Sequence, residues 1–258
     1  MGHGTRTGVF PVGDLMTYVL KAPTREKLMR VGTANIANVL LKHGFSNVIM
    51  QGIYPISTTQ KQLVGPAYTL RFIPAREDLS RISNYSRDDN LHRRAIEECP
   101  EGAVLVMDAF GCTRGSSMGD MMAARLKYRG VAGVVTDGGY RDSPAIYAVG
   151  LPCFQKHNAP PATPIALHPI SLNEPIGCGG VAIYPGDVVV GDGDGVVVIP
   201  QALVDQVADA ALDACEYEAF AAMHIRQGRS IFGLFPATAE SRLEYNRWKA
   251  EQKQEQQE

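Results

Sequence analysis

Two charged clusters lie twenty residues apart in the middle of the chain, and their residue types suit chemistry on an oxygen-rich anion. The first cluster is Gly119 with Asp120, and the second is Arg141 with Asp142. A short helix and a short apolar strand are predicted between them. Ligands of open α/β sheets collect beyond the carboxyl ends of strands. The spacing therefore predicts that two carboxylates and a guanidinium meet at one such edge.

Each acid also has a structural explanation, since Asp120 can offset a helix dipole and Asp142 can cap a helix beginning at Ser143. Their joint position favours a site. An exposed carboxylate suits Mg²⁺ or Mn²⁺, which keep several waters for substrate oxygens. The amides of Gly119–Met122 can hold a carboxylate, and Arg141 offers two fixed donors to an oxygen that gains negative charge. The set suits enolate chemistry on a 2-oxo acid.

The elements that must position these residues alternate between strand and helix. Ala103–Met107 is an unbroken apolar run, as expected of a strand that is covered on both faces. A helix over Asp120–Arg129, a strand over Gly133–Thr136, a helix from Ser143 and a strand over Leu151–Gln155 follow. The β-α-β-α-β order predicts an α/β fold with parallel strands and right-handed crossovers.

The flanking regions carry further elements. Thr24 can cap a first helix, Thr33–His43 reads as its continuation or as a second one, and Ala67–Ile73 alternates as a half-buried strand. Proline, glycine and aspartate turns separate short strands after Pro160, and a long amphipathic helix follows them. These elements are predicted at Pro164–Leu167, Gly180–Tyr184, Asp187–Val190, Gly195–Ile199 and Gln201–Gln227.

Composition excludes several classes of partner. The 258 residues carry 25 basic and 27 acidic side chains, a net charge of −2, without a basic run that would bind nucleic acid or an anionic membrane. Five scattered cysteines indicate free thiols in a reducing compartment. No apolar run approaches the roughly 20 residues of a membrane span. We therefore expect a cytoplasmic protein with neither nucleic acid nor membrane as partner.

Three sequence features resemble functional motifs but lack the context or spacing that those motifs require. Gly191–Gly195 resembles a nucleotide-binding loop, but the strand Val196–Ile199 follows it where a helix is required, so a tight hairpin is favoured. The serines around Ser116 do not form GxSxG, and the histidines lack metal-binding spacing such as HExxH. The sequence thus supports neither a serine hydrolase nor a histidine metal centre.

The chain resembles the RraA-like family, which includes the 4-hydroxy-4-methyl-2-oxoglutarate/4-carboxy-4-hydroxy-2-oxoadipate aldolases. The likeness runs from about Thr33 to Phe235. Its motifs are Leu63–Ala67, Asp120-x20-Arg141-Asp142 with Arg129–Val135 and Asp137-Gly138 inside it, Pro185–Asp187 and Gly191–Pro200.

The resemblance implies a swivelling β/β/α domain, with a central mixed sheet flanked by helices and with helical N- and C-terminal extensions. We expect one domain over residues 1–258, with a core at about 33–200 and a C-terminal helical extension at about 201–249. Composition predicts a frayed or disordered tail at 250–258, because it has nothing to bury. The resemblance also implies a homotrimer or a dimer of trimers with sites between subunits.

The same resemblance assigns roles to the central residues. Asp142 would bind Mg²⁺ or Mn²⁺, Arg141 would stabilise the enolate oxygen, and Asp120 would hold a water that shuttles a proton. The pyruvyl carboxylate of the substrate would be bound by the amides of Gly119, Met121 and Met122. The implied reaction is cleavage of a 4-hydroxy-2-oxo acid by a class II pyruvate aldolase, or decarboxylation of oxaloacetate.

The catalytic branch of the family also takes a glutamate from the C-terminal helix of a neighbouring chain. Spacing makes Glu218 the candidate, with Glu216 as its alternative. Where many members carry an acid in the helix predicted at Thr33–His43, this chain has Asn38, to which no role is assigned. Two other functions stay open: a non-enzymatic regulator that binds an RNA-degrading endonuclease, and a sugar-acid dehydratase that uses the same site.

Overall fold

The computed structural model describes residues 18–85 and 87–255. Its helices are α1 (Ala22–Leu28), α2 (Thr33–Lys42), α3 (Ile82–Tyr85), α4 (Leu91–Glu98), α5 (Asp120–Tyr128), α6 (Ser143–Val149), α7 (Val204–Arg226) and α8 (Ala239–Glu255). Its strands are β1 (Tyr54–Pro55), β2 (Leu63–Pro74), β3 (Val104–Asp108), β4 (Ser116–Met118), β5 (Gly133–Thr136), β6 (Gly139–Tyr140), β7 (Cys153–Gln155), β8 (His157–Asn158), β9 (Leu167–Leu172), β10 (Ile176–Cys178), β11 (Val181–Ile183), β12 (Val188–Asp192) and β13 (Gly195–Ile199).

The main sheet is mixed and nearly closed. Its strands run in the order β1-β7-β5-β3-β2-β12-β13, and β9 pairs with β2. The strands β2, β3, β5 and β7 are parallel neighbours, which confirms the predicted parallel crossovers. The last two strands form an antiparallel hairpin, and Ile49, just before β1, makes an antiparallel bridge to Val197 on β13. The two ends of the sheet thus approach each other.

Successive side chains along each strand point to opposite faces of the sheet, so one set faces the interior and the other packs against the helices outside. On β3, Leu105 and Met107 pack with α4, α5 and α6, whereas Val104 and Val106 face the interior, which the β10–β11 hairpin helps to fill. A second outer cluster joins α1, α2 and α7 to β12 and β13. The apolar β3 run is therefore covered on both faces, as the sequence predicts.

The Gly191–Gly195 segment forms the turn of the β12–β13 hairpin, as predicted, and it also stabilises the start of α2. Asp192 accepts hydrogen bonds from the backbone N–H and the hydroxyl of Thr33, at 2.7 and 2.8 Å. Because Gly32 at the N-cap of α2 has no side chain to cap the helix, this carboxylate satisfies the free donor there. The aspartate-rich turn is thus a helix cap supplied by a distant strand.

Two local predictions near helices and strands are wrong. Thr24 lies within α1 and donates its hydroxyl to Asp205 on α7, at 2.6 Å, so it does not cap the helix. The predicted strand Pro164–Leu167 is a short 3₁₀ helix at Thr163–Ile165, and the strand begins only at Leu167. A proline in the segment lacks the N–H that strand pairing needs, which explains the shift.

The last helix extends into the region predicted to be a frayed or disordered tail. Instead of disorder from Ala250, α8 continues to Glu255, and residues 256–258 lie outside the described part. Alanine, glutamate, glutamine and lysine are good helix formers, and an aromatic cluster anchors the helix upstream. In that cluster Tyr245 and Trp248 pack against Phe220 on α7.

The predicted N-terminal extension is helical at α1, and residues 1–17 lie outside the described part. None of the described helices combines the length and the apolar composition that a membrane crossing needs.

Candidate functional site

A small sheet beyond the carboxyl ends of the central strands positions the predicted residues. The strands β4, β6 and β8 are parallel, and they follow β3, β5 and β7 along the chain in the same order. Helix α5 begins directly after β4, and α6 begins shortly after β6. Since the two small strands pair in register at Met118 and Tyr140, the residues that follow them become neighbours. The twenty residues between the two clusters thus form one repeat of this strand–helix unit.

The structure brings Gly119, Arg141 and Asp142 together. The Arg141 backbone N–H donates to the Met118 carbonyl at 3.1 Å, which fixes the second cluster beside the first. Arg141 Nε lies 3.0 Å from Asp142 Oδ2. A Cβ atom placed on Gly119 would lie 3.2 Å from Asp142 Oδ2 and 3.3 Å from Arg141 Nε. The glycine therefore provides the space in which the charged pair packs against the start of α5.

Asp142 holds an unusual backbone conformation and does not use its carboxylate as a cap. Its φ and ψ are 59° and 32°, in the left-handed region that non-glycine residues seldom enter. It occupies the N-cap position of α6, but its side chain makes no capping hydrogen bond. The side chains of Arg141 and Asp142 are 46% and 41% exposed. The carboxylate is thus open to solvent and turned toward α5, where a cation can reach it.

Asp120 and the amides at the start of α5 already contact each other. The Met121 N–H donates to Asp120 Oδ1 at 2.8 Å, so one of the three predicted anion-binding amides has a partner in the free chain. Asp120 is half-buried, while the Met121 side chain is 79% exposed. A bound carboxylate that takes the Met121 amide would free the Asp120 side chain.

The structure does not place Glu218 with the other predicted residues. Asn35 on α2 donates to Glu218 Oε2 at 2.9 Å, and α7 packs against α1 and α2. Glu216 contacts Lys249, Arg30 and Tyr245, and the Lys249 hydrogen bond is the main reason that its pKa is lowered. Glu216 thus joins α7 to α8, and both glutamates have partners within this chain.

The donor set suits a hard divalent ion with few protein ligands. Within residues 18–85 and 87–255 no group of three His, Cys, Asp or Glu side chains is close enough to hold a metal. The oxygens of Asp142 and Asp120 are ligands that Mg²⁺ and Mn²⁺ accept, with water or substrate filling the other positions. The site therefore fits an open Mg²⁺ or Mn²⁺ centre rather than a closed structural one.

Two buried carboxylates, to which the sequence analysis assigned no role, shape the approach to β4. The Asp137 side chain accepts the N–H groups of Ala109, at 2.7 Å, and Gly111, at 3.2 Å. Asp108 accepts the N–H of Phe110, whose φ is 45°. Burial raises the pKa of both carboxyl groups. The available signal was their position, with Asp108 as the last residue of β3 and Asp137 directly after β5, and their role is to hold this strained loop.

A tyrosine–histidine pair supports the first turn of α5 and was also missed. The Tyr85 hydroxyl lies 3.2 Å from Nδ1 of His92 and 3.6 Å from the Met122 sulfur. His92 is fully buried, with its ring edge against Phe72. Burial lowers the His92 pKa to about 4. No spacing rule marks these residues, because they come from α3, α4 and α5.

The buried histidine predicts a stability that depends on pH. Because its pKa falls from 6.5 to about 4 on folding, the unfolded chain binds the extra proton between those values. The His92 contribution therefore weakens as pH falls through this window. Relative to His92→Gln, wild type should lose roughly 2 kcal/mol of unfolding free energy between pH 8 and 4.5. Urea unfolding at both pH values measures the difference, and a constant gap would contradict the assignment.

Comparison with known proteins identifies the family. A family model described as RraA-like (Aldolase/RraA) matches residues 33–198. The chain therefore belongs to the RraA-like family, as its motifs predicted. A Halalkalibacterium halodurans protein, provisionally named 4-hydroxy-4-methyl-2-oxoglutarate aldolase, is 38% identical over 150 residues. That stretch covers 57% of this chain and 63% of the relative, which is less than two thirds of its length. A relative of the same provisional name from Ectopseudomonas mendocina is 33% identical over 45% of this chain and 71% of its own length.

Solved structures share the fold. Streptomyces coelicolor RraAS2, described as an unusual member of the RNase ES inhibitor RraA protein family, superposes with a TM-score of 0.71 at 32% identity. The superposition covers 79% of this chain and 98% of that one. A Pseudomonas syringae protein superposes with a TM-score of 0.73 at 23% identity over 84% and 94% of the two chains, which shows the fold alone. The predicted mixed sheet flanked by helices is thus confirmed.

Proposed function

We propose that this protein is a divalent-metal-dependent carbon–carbon lyase that cleaves a 4-hydroxy-2-oxo acid or decarboxylates oxaloacetate. The observation that carries the proposal is the packing of Arg141 and Asp142 against Gly119 at the start of α5. A carboxylate, a guanidinium and helix-terminal amides converge there, and a 2-oxo acid has an oxygen or a charge for each. The provisional aldolase names of two relatives support the same class.

Different groups of the site would contact different parts of a bound 2-oxo acid. Its carboxylate would accept hydrogen bonds from the amides of Gly119, Met121 and Met122, helped by the positive end of the α5 dipole. Arg141 would donate to the keto oxygen, which gains negative charge as the C3–C4 bond breaks. Asp120, released from the Met121 amide, would hold a water that takes the 4-hydroxyl proton as the C3–C4 bond of the aldol substrate breaks, and that then returns a proton to C3 of the pyruvate enolate. In decarboxylation of oxaloacetate, where CO₂ leaves, the same water would only supply the proton to C3.

The ion completes this arrangement. Asp142 would hold Mg²⁺ or Mn²⁺, and a water kept by Asp120 could share it. When bound, such an ion supplies Lewis acidity that polarises the 2-keto group. Glu218 would serve as an acid contributed to the site of another subunit of a homo-oligomer, a trimer or a dimer of trimers.

Incubation with oxaloacetate tests the proposal directly. The purified protein should release pyruvate with Mg²⁺ or Mn²⁺, and the release should stop with excess EDTA and return when the ion is restored. A panel of 4-hydroxy-2-oxo acids would then separate aldol cleavage from decarboxylation. If pyruvate were released no faster with the protein than with the free ion in buffer, the lyase proposal would be wrong.

A regulator of an RNA-degrading endonuclease is the second candidate, since RraAS2 is described as a member of an RNase inhibitor family. Such a protein would bind the endonuclease tightly and release no pyruvate. Co-purification with the endonuclease, combined with the oxaloacetate assay, separates the two functions. A tight complex without metal-dependent turnover would favour the regulator.

The packing at Gly119 predicts the effect of a single methyl group. Gly119→Ala places a Cβ 3.2 Å from Asp142 Oδ2, so the charged pair must shift by a few tenths of an ångström. We expect turnover to fall about tenfold, because catalysis is sensitive to displacements of this size. The φ of −125° is accessible to alanine, so stability should change by about 1 kcal/mol or less. Gly177→Ala, with no atom within 4 Å of its Cβ, is the matched control for the rate.

A further inference from the structure

A cleft of about 510 Å³ lies between the residues of β1, the first residues of α6 and residues 155–158. Pockets that hold small molecules measure about 300–1,000 Å³, so the cleft is large enough for one. Its described lining includes neither the start of α5 nor the Arg141–Asp142 pair. The cleft is therefore distinct from the site of the proposed reaction, and its own side chains decide what it can bind.

Hydrogen bonds at the floor of the cleft fix the orientation of Asn158. The buried Gln155 accepts the Tyr140 N–H at 2.6 Å through Oε1, so its Nε2 is free to donate to Asn158 Oδ1 at 2.7 Å. The Ser143 hydroxyl donates to the same oxygen at 2.8 Å. Because Asn158 Oδ1 receives two donors, the positions of its oxygen and nitrogen are assigned by this network. The exposed Asn158 thus keeps an Nδ2 donor without a partner in the described part of the chain.

Lys156 gives the cleft a positive charge that no acid offsets. Its ammonium group makes no ion pair or hydrogen bond with the residues that the structure describes. Cβ atoms placed on Gly52 and Gly111 would lie 3.6 Å from its Cε and 3.8 Å from its Nζ, so two glycines border the side chain without covering it. Burial, and then the charge of Lys156, lower the pKa of the adjacent His157, which is neutral at pH 7. No aspartate or glutamate is among the described residues that line the cleft.

Two exposed tyrosines form the walls of the cleft. Tyr54 on β1 pairs in register with Gln155 on β7, and 58% of it is exposed. Tyr147 on α6 is 46% exposed, and its hydroxyl lies 2.7 Å from Thr59 Oγ1. Both rings are thus open to solvent although neighbouring elements hold them in place. Tyrosine offers a large and rigid contact surface at low entropic cost, and its ring packs well against another flat ring.

We propose that this cleft binds a small aromatic carboxylate, as a ligand other than the substrate of the proposed reaction. The carboxylate accepts hydrogen bonds from Lys156 and from Asn158 Nδ2, and the ring of the ligand lies against Tyr54 and Tyr147. A cation and an oriented amide donor match the charge and the oxygens of the ligand, and the tyrosines match its flat body. The inference does not depend on the proposed function, because none of these four residues has a part in that reaction.

Saturation-transfer NMR with three related probes tests the cleft without any turnover. Benzoate carries both the charge and the flat ring, benzamide lacks the charge, and cyclohexanecarboxylate lacks the flat ring. Wild type should bind benzoate about fivefold more tightly than benzamide, the effect expected of one exposed ion pair. It should also bind benzoate about threefold more tightly than cyclohexanecarboxylate, because only a flat ring packs fully against tyrosine. The absence of saturable benzoate binding, or of either preference, would overturn the inference.

A matched pair of lysine variants shows whether Lys156 supplies the charge. Lys156→Gln should weaken benzoate binding about fivefold and remove the preference over benzamide. Lys61→Gln, which removes the charge of an exposed lysine outside the cleft, should leave both unchanged. Equal losses in the two variants would mean that benzoate responds only to the net charge of the protein, and the assignment to this cleft would be wrong.

Two more variants locate the bound carboxylate. Asn158→Asp keeps an acceptor for Ser143 and Gln155 but replaces the amide donor with a negative oxygen, so it should weaken benzoate binding at least about tenfold. Arg141→Ala should change benzoate affinity less than twofold, because Arg141 does not line the cleft. A large loss in Arg141→Ala with none in Asn158→Asp would place benzoate at the start of α5 and overturn the inference.

Discussion

Arg141→Ala should lower kcat/KM for metal-dependent pyruvate release by about 10³-fold, the loss typical of removing one donor to an oxygen that gains charge. The guanidinium is half-exposed, and its described side-chain partner is the adjacent Asp142. The fold therefore does not depend on it, and the melting temperature should stay within a few degrees of wild type. Steady-state kinetics with oxaloacetate, together with thermal unfolding, measures both effects.

Two further variants separate the role of Arg141 from a general effect of charge. Arg125→Ala removes a guanidinium from α5, where it pairs with Glu97 on α4, and should leave turnover unchanged. Arg141→Lys keeps the positive charge without the planar pair of donors, so it should recover only part of the rate. Near-normal turnover in Arg141→Ala would remove this residue from the proposed mechanism.

The parallel core was predictable from the sequence because its signals are local. The apolar run of β3 and the helix that begins at Asp120 are separated by turns that contain glycine. Hydrophobic periodicity and the positions of glycine were therefore enough to predict these elements. The pairing of β4 with β6 was not predictable in this way. Those strands have three and two residues, too few for a pattern, and they exist because β3 and β5 already lie side by side.

The residues of the candidate site also fall into two groups, those that local sequence patterns predict and those that they do not. Arg141 and Asp142 could be predicted because residues after two parallel strands share an edge, and the structure places both against Gly119. Tyr85 and His92 could not, since three separate helices bring them to Met122. The Asp120–Met121 contact was equally hidden, because it depends on a rotamer. Local patterns indicate the residues at strand ends, but not the side chains that support them.

Asp142→Asn should abolish most of the metal response, with turnover in saturating Mg²⁺ falling by about 10³-fold. Asparagine is nearly the same size and tolerates the left-handed conformation that Asp142 adopts, so the backbone of this turn should be retained. Only the negative charge is removed, and a divalent ion that keeps several waters depends heavily on that charge. Titration with Mn²⁺, followed by its paramagnetic signal, gives the affinity without any substrate.

The Asp142 and Arg141 variants should then behave differently in metal binding. Asp142→Asn should weaken Mn²⁺ binding by at least about 100-fold, more than the loss of a residue that only supports a ligand. Arg141→Ala should bind Mn²⁺ as tightly as wild type or more tightly, because the carboxylate no longer shares its charge with a guanidinium 3.0 Å away. Asp194→Asn, in the exposed β12–β13 turn, controls for the loss of a surface charge. Unchanged Mn²⁺ affinity in Asp142→Asn would mean that the ion, if the reaction needs one, is held elsewhere.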